Sequence, residues 1–306
     1  MSRAPVPFIV GFGRSGTTLL RLMLDSHPEL AIPPETSFVP RLIRAANAAD
    51  ATAESVHQLL VAQRRWPDMG LDAGEVLARW RSLGRVDAGE LLRALYSLYA
   101  ERQGKPRWGD KTPTHYRKMV PIERALGEVR FIHMIRDGRD AVLSLRKAPP
   151  SVRTRTTTDI GELGARWAQA IRRTRRQGRK VAHYAEVRFE QLITDPEAEL
   201  RRLCGFLELD FDPVMLDYHE RSGERLDELN RPLARPDGSP AAGSDRVGIF
   251  ALTSEPPRTD RIAVWRREMK PSDQAVFEEV AGKVLERLGY PLTGSQRDGP
   301  NPSLSP

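Results

Sequence analysis

The residues of this 306-residue chain that offer chemistry begin with Gly11-Phe12-Gly13-Arg14-Ser15-Gly16-Thr17-Thr18, which gathers glycines, a guanidinium and hydroxyls into one short stretch. Glycines let a backbone approach a ligand closely, and the unpaired N–H groups at a helix start favour an anion. The stretch therefore reads as a cradle for a phosphate or a sulfate. A nucleotide-triphosphate loop has the form G-x-x-x-x-G-K-[ST]. Here Gly11 and Gly16 hold the glycine places, but Thr17 stands where the lysine belongs. The cation has moved to Arg14, whose fixed fork of donors suits anionic oxygens.

A second basic position is Arg136, at the end of the apolar run Val129 to Ile135. Ligands of open α/β sheets bind outside the carboxyl ends of the strands, so Arg136, with Ser144 on the following helix, is expected to hold a second phosphate. Phosphoryl-transferring enzymes with such a loop usually keep an acidic residue after a later strand to organise Mg²⁺. This strand finishes in arginine, with Asp137 next to it as the remaining metal candidate. Further candidates are Glu35 in PPETS, ahead of a helix, and Lys111 and His115 in GDKTPTH, where the chain reads as a loop opening a short helix.

The elements that must position these groups follow from local pattern. Pro7 to Val10 reads as a buried strand entering the glycine turn, and Leu19, Leu20, Met23 and Leu24 recur at helical spacing until Ser26-His27-Pro28. Thr36 or Ser37 is expected to cap a helix running through Arg44. From about 45 to 104 the periodicity gives several helices, an insertion that shapes a substrate cleft. A strand at Val129 to Ile135 precedes a helix at Asp140 to Lys147, and a helix at Asp159 to Gly178 precedes a strand near Val181 to Val187. Helices flank Asp195-Pro196, with Cys204 among core leucines, and a terminal helix carries a stripe of Phe277, Val280, Val284, Leu285 and Leu288. Residues 222–260 read as a mobile loop and 294–306 as a disordered tail. The expected architecture is one α/β domain over residues 1–293, with three layers around a mainly parallel central sheet flanked by helices.

Composition narrows the partners. A formal charge of +7 from 48 Lys and Arg against 41 Asp and Glu is a mixed surface suited to an anionic ligand, and the RRTRRQGRK run reads as a solvated helix end; no nucleic-acid partner is expected. Cys204 is the only cysteine, so no intrachain disulfide and no cysteine metal cluster is expected, and a reducing cytoplasm fits. No uninterrupted apolar run approaches the ~20 residues of a membrane span.

The motifs together resemble sulfotransferases that use 3′-phosphoadenosine 5′-phosphosulfate, over nearly the whole chain to Tyr290. GFGRSGTTLLR resembles that family's 5′-phosphosulfate loop, which implies Arg14, Ser15, Gly16, Thr17 and Thr18 around the phosphosulfate. MIRDGRDAVLS resembles its 3′-phosphate segment, which implies Arg136 and Ser144 on that phosphate. PPETSFVPRL resembles the protein-tyrosine sulfotransferase segment that supplies a glutamate, which implies Glu35 as general base; Lys111 stands in the place of that branch's lysine. Small-molecule sulfotransferases use a histidine after a Lys-Thr pair, which makes His115 the competing base; Glu35 is favoured because a base needs reach before pKa. VRFEQL places Phe189 where the family has a tyrosine against adenine, and Arg258 and Trp265 have the spacing of its late nucleotide loop, without the glycines.

The resemblance implies transfer of a sulfuryl group to a hydroxyl or amine acceptor, a small molecule, glycan or lipid, with 3′-phosphoadenosine 5′-phosphate as product and no metal required. A transferred sulfuryl group carries less charge than a phosphoryl group, so Arg14 and Lys111 suffice to stabilise it. The rival readings are an ATP-dependent phosphotransferase of the kinase kind and a noncatalytic binder of nucleotides or polyanions.

Overall fold

The structure, a computed structural model, describes residues 3–148, 157–228, 233–234, 240–241 and 254–293. Its strands are β1 (Val6–Gly11), β2 (Leu30–Ala31), β3 (Arg107–Trp108), β4 (Asp110–Lys111), β5 (Val129–Ile135), β6 (Tyr184–Arg188), β7 (Leu233–Ala234) and β8 (Pro240–Ala241). Its α-helices are α1 (Thr17–Asp25), α2 (Val39–Ala46), α3 (Ala53–Val61), α4 (Ala73–Ser82), α5 (Ala88–Arg102), α6 (Met119–Ala125) and α7 (Gly138–Lys147). They continue as α8 (Ile160–Gly178), α9 (Phe189–Thr194), α10 (Pro196–Leu207), α11 (Tyr218–Asp227), α12 (Trp265–Glu268) and α13 (Pro271–Arg287).

The central sheet has the order β4-β1-β5-β6, and every pairing in it is parallel. Parallel strands need crossovers, and helices fill both faces, so the inner strands are apolar almost throughout: β1 is buried at every residue. Period-two alternation then sorts the side chains. Phe8, Val10 and Phe131 join α2 to α6 in one core. Ile9, Ile132 and Met134 face a second core with α1, α9 and α10, while Ile135 packs with α7, α8 and α13. Fully burying such a side chain contributes about 1.5–3 kcal/mol, which makes these strands the rigid part of the molecule. The expected α/β architecture, a parallel sheet flanked by helices with a helical insertion, is what forms.

Several local expectations need correction. Lys111 lies on a strand and not in a loop, because Phe8 pairs with Asp110 and Ile9 with Lys111 at the sheet edge. Neither Thr36 nor Ser37 caps α2, which starts from Phe38 without a side-chain cap. The Thr36 hydroxyl donates to the Asp110 carboxylate instead and lies 2.8 Å from Tyr96 Oη. β6 begins at Tyr184, because residues 179–182 form turns and bends. Val280 is exposed, so the core stripe of α13 is narrower than the periodicity suggests. Residues 222–227, expected in the mobile loop, belong to α11. Most of the remaining loop, 229–232, 235–239 and 242–253, lies outside the described residues, as does the expected tail at 294–306.

Candidate active site

At the carboxyl end of β1 the chain turns sharply. Arg14 adopts φ 69° and Gly16 φ 94°, both left-handed, and α1 begins with Gly16 as a cap that offers no side chain. Glycine is required at 16 for a second reason: a Cβ there would lie 2.4 Å from Cδ2 of Phe189. No acidic residue occupies the first turn of α1, so its N–H groups and positive dipole end are left to an outside acceptor. Thr17 and Thr18 open that turn, both buried. Ser15 is fully buried, and its hydroxyl has no hydrogen-bond partner among the described residues.

Two guanidiniums close this cradle. Arg14 Nε donates to Ser144 Oγ at 3.1 Å. Arg136, at the adjacent strand end, stacks on the Phe189 ring at 4.2 Å and donates to the backbone carbonyls of Arg14 (3.3 Å) and Arg261 (2.8 Å). Its Nε is buried without a hydrogen-bond partner among the described residues. Burial, and then the charge of Arg136, pushes Arg14 down to about 10; burial likewise lowers Arg136. Arg14, Ser15, Gly16, Thr17, Thr18, Arg136, Ser144 and Phe189 thus come from four separate segments to one place. The orphaned Ser15 hydroxyl and Arg136 Nε, set beside an uncapped helix start, fit a polyanionic nucleotide.

One strand over, β4 aims Lys111 at the same end of the sheet. Its Nζ donates to Glu35 Oε1 at 3.0 Å and lies 3.4 Å from Thr18 Oγ1. Burial lowers the Lys111 pKa and the neighbouring Glu35 opposes that shift. The Glu35 loop is pinned behind this pair: the Thr36 N–H donates to Thr112 Oγ1 at 2.9 Å, and Tyr96 Oη donates to Asp110 Oδ2 at 2.8 Å. Residue 36 is therefore tied to residues 110 and 112, which sets Glu35 against Lys111. The other carboxylate oxygen of Glu35, Oε2, is 3.6 Å from Arg65 Nη2.

His115 is not brought to this pair. It stacks on Phe8, with ring centroids 6.2 Å apart, on the face of β1 that packs against the helical insertion, whereas Lys111 shares the face of Ile9 and α1. It is buried, 3.6 Å from Asp110, and burial lowers its pKa. Arg258 is also elsewhere: half-exposed, it pairs with Asp260 at 2.6 Å and Glu255 at 3.1 Å. Arg261 instead reaches Arg136 through its backbone carbonyl.

The groups that sequence reasoning passed over are Arg65, Arg261 and Asp140. Asp140 Oδ1 accepts from the Trp265 N–H at 2.8 Å, while Oδ2 is buried without a hydrogen bond among the described residues, 4.0 Å from Arg136. Its place in RDGRD, four residues after Arg136, was the available signal. Among the described residues no three His, Cys, Asp or Glu side chains group as metal ligands, and no helix is long and apolar enough to cross a membrane.

Comparison with known proteins bears on what such a site does. A family model described as "Sulfotransferase family" matches residues 5–213. The chain is 26% identical over 289 residues to protein-tyrosine sulfotransferase A of Caenorhabditis elegans, covering 94% of this chain and 67% of that protein. It is 26% identical over 294 residues to protein-tyrosine sulfotransferase 1 of Danio rerio, covering 94% and 72%. Among solved structures, the sulfotransferase domain of the Synechococcus PCC 7002 olefin synthase superposes with a TM-score of 0.61 at 23% identity, over 94% of this chain and 95% of that one. The sulfotransferase domain from the curacin biosynthetic pathway gives 0.62 at 20% identity, over 95% and 100%. At these identities the two structures speak for the fold.

Proposed function

The chain belongs to the sulfotransferase family, and from that premise we propose that it transfers a sulfuryl group from 3′-phosphoadenosine 5′-phosphosulfate to a hydroxyl acceptor, with Glu35 as general base. The observation that carries this reading is the Lys111–Glu35 pair, 3.0 Å apart and in contact with Thr18 at the start of the helix that opens the anion cradle. A proton acceptor and a cation thus stand beside the place where an anion is wanted.

When bound, the donor supplies the activated sulfuryl group and a phosphate leaving group. Arg14, Ser15 and the first N–H groups of α1 would hold its 5′ side, and Arg136 with Ser144 its 3′-phosphate. Phe189, already stacked under Arg136, offers an apolar face to a base. Lys111 presents its ammonium to the transferred group and Arg14 its guanidinium to the departing oxygen, so positive charge lies where negative charge develops. Glu35 takes the proton of the acceptor hydroxyl; 28% of its side chain is exposed, which gives an acceptor access. The relatives are protein-tyrosine sulfotransferases by name, which makes a tyrosine phenol the first acceptor to test.

Calorimetric titration with 3′-phosphoadenosine 5′-phosphate in the presence of EDTA tests the donor site. We expect micromolar binding, weakened on the order of 10²-fold in Arg136→Ala, since a buried charge-assisted contact is lost. Failure to bind that nucleotide, combined with Mg²⁺-dependent binding of ATP, overturns the reading.

A further inference from the structure

The helical insertion reaches into the site at one point. Arg65 precedes the 3₁₀ turn Trp66–Met69, whose Trp66 and Met69 are buried in the insertion core and fix the turn. Its Nη1 donates to Asp68 Oδ2 at 3.2 Å, and Asp68 is 1% exposed. The other arm, Nη2, lies 3.6 Å from Glu35 Oε2. One guanidinium therefore bridges a buried carboxylate of the insertion and the carboxylate proposed as base, while Lys111 holds the opposite oxygen, Oε1.

We propose that Arg65 is a positioning residue that orients the Glu35 carboxylate and holds its charge, leaving Lys111 to serve the transferred group. The proposal rests on the reading of Glu35 as the base. A carboxylate with a single cationic partner loses its orientation when that partner turns to another anion. Cations on both oxygens leave one behind. The charged groups facing Glu35 include Lys111 from β4 and Arg65 from the insertion. Buried His115 lies within electrostatic reach of Glu35, and Arg21 of α1 lowers Lys111. Of these, Arg65 is the cation anchored outside the sheet, and its charge also lowers Lys111, so its removal changes the field at both Glu35 and Lys111 while leaving the residues of the donor cradle in place. A guanidinium this close to a partly exposed carboxylate favours the ionised form, so losing it raises the proton affinity of Glu35.

The test is a titration of the full chain carrying ¹³C-labelled glutamate, with the Glu35 carboxylate resonance assigned by its loss in Glu35→Gln. Arg65→Gln is expected to move the Glu35 midpoint up by about 0.5–1 pH unit, and Arg65→Lys to return most of that shift. The acidic limb of kcat/KM moves with it, and kcat on the plateau falls by roughly tenfold from lost orientation. Binding of 3′-phosphoadenosine 5′-phosphate stays within about twofold, because no cradle residue changes. A Glu35 midpoint that does not respond to Arg65→Gln overturns the proposal, even if kcat falls, since a loosened insertion alone would lower kcat. If the midpoint responds but the wild-type chain transfers no sulfuryl group, the fault lies in the reading of Glu35 as base, and the positioning role falls with it.

Discussion

The two ends of the site each set a carboxylate beside cations, and they treat it in opposite ways. At the outer end Glu35 is partly exposed and engaged on both oxygens, by Lys111 at 3.0 Å and Arg65 at 3.6 Å. At the inner end Asp140 is buried 4.0 Å from Arg136 with one oxygen lacking a hydrogen bond among the described residues, and burial raises its pKa to about 6. Arg136 donates its Nη groups to backbone carbonyls and lies on an aromatic face, and its Nε has no hydrogen-bond partner among the described residues. The outer end holds a carboxylate between two cations, the arrangement that the proposed proton transfer calls for. The inner end sets Arg14 beside Arg136, with Asp140, Glu190 and Asp137 around the latter, and it keeps the Ser15 hydroxyl and Arg136 Nε buried without a hydrogen bond among the described residues, as a site that takes up an anion would.

The sharpest way to separate the two ends is Glu35→Gln. Glutamine keeps the size of the side chain and one acceptor oxygen for its cationic neighbours, but it cannot take a proton. We expect kcat for sulfuryl transfer to fall about 10²–10⁴-fold, or about 3–5 kcal/mol, while the affinity for 3′-phosphoadenosine 5′-phosphate changes by less than about threefold. An equal loss in both would show that the ends are one unit and break the comparison.

Gly16→Ala probes the inner end alone. The new methyl would meet Phe189 at 2.4 Å, and residue 16 sits at φ 94°, which an L side chain adopts at a cost of about 1–2 kcal/mol. Because Arg136 stacks on the Phe189 ring, a shift of that ring disturbs the guanidinium. Calorimetry should show nucleotide affinity weakened by roughly 10–30-fold, with kcat at saturating donor nearly kept. Loss of kcat with unchanged affinity would place Gly16 in the chemistry instead.

The contrast also explains what was legible in the sequence. The inner end is built from local signals: an apolar run, a glycine turn and a helix give Arg14 to Thr18, and a second apolar run ending in Arg136 gives the adjacent strand end. The parallel sheet follows from those same runs. The outer end depends on pairings between distant segments. β4 is a strand only because Phe8 and Ile9 accept it as a neighbour, and its two residues carry no strand pattern of their own. Thr36 reads as a helix cap until Asp110 and Tyr96, 74 and 60 residues away, claim its hydroxyl. The same register decides that Lys111 faces α1 while His115 stacks on Phe8 across the sheet, a sidedness that residue spacing does not encode. Arg65 is one arginine among many on the insertion until the fold sets it against Glu35. The late segment shows the limit of spacing from another side: Arg258 has the matching interval, but it is a backbone carbonyl, that of Arg261, which meets Arg136.

The smallest effect should come from Asp140→Asn, and its dependence on pH is the informative part. The folded chain holds the Asp140 proton with a pKa of about 6 against an ordinary value of 3.8, chiefly through burial and against the opposing pull of Arg136 and the Trp265 N–H. A raised folded pKa means that the native state binds the proton more tightly than the unfolded chain does. The stabilisation from that proton is therefore complete below about pH 3.8 and is lost as pH rises through about 6. Asparagine mimics the protonated side chain at every pH and keeps an oxygen for the Trp265 N–H. Relative to wild type, Asp140→Asn should then be nearly neutral at pH 4 and should become more stable by about 1–2 kcal/mol above pH 6.5, a few degrees in Tm. Thermal unfolding of both chains across pH 4–8 measures this. A difference that stays flat with pH would mean that Arg136 already neutralises Asp140, and the two ends would then treat their carboxylates alike.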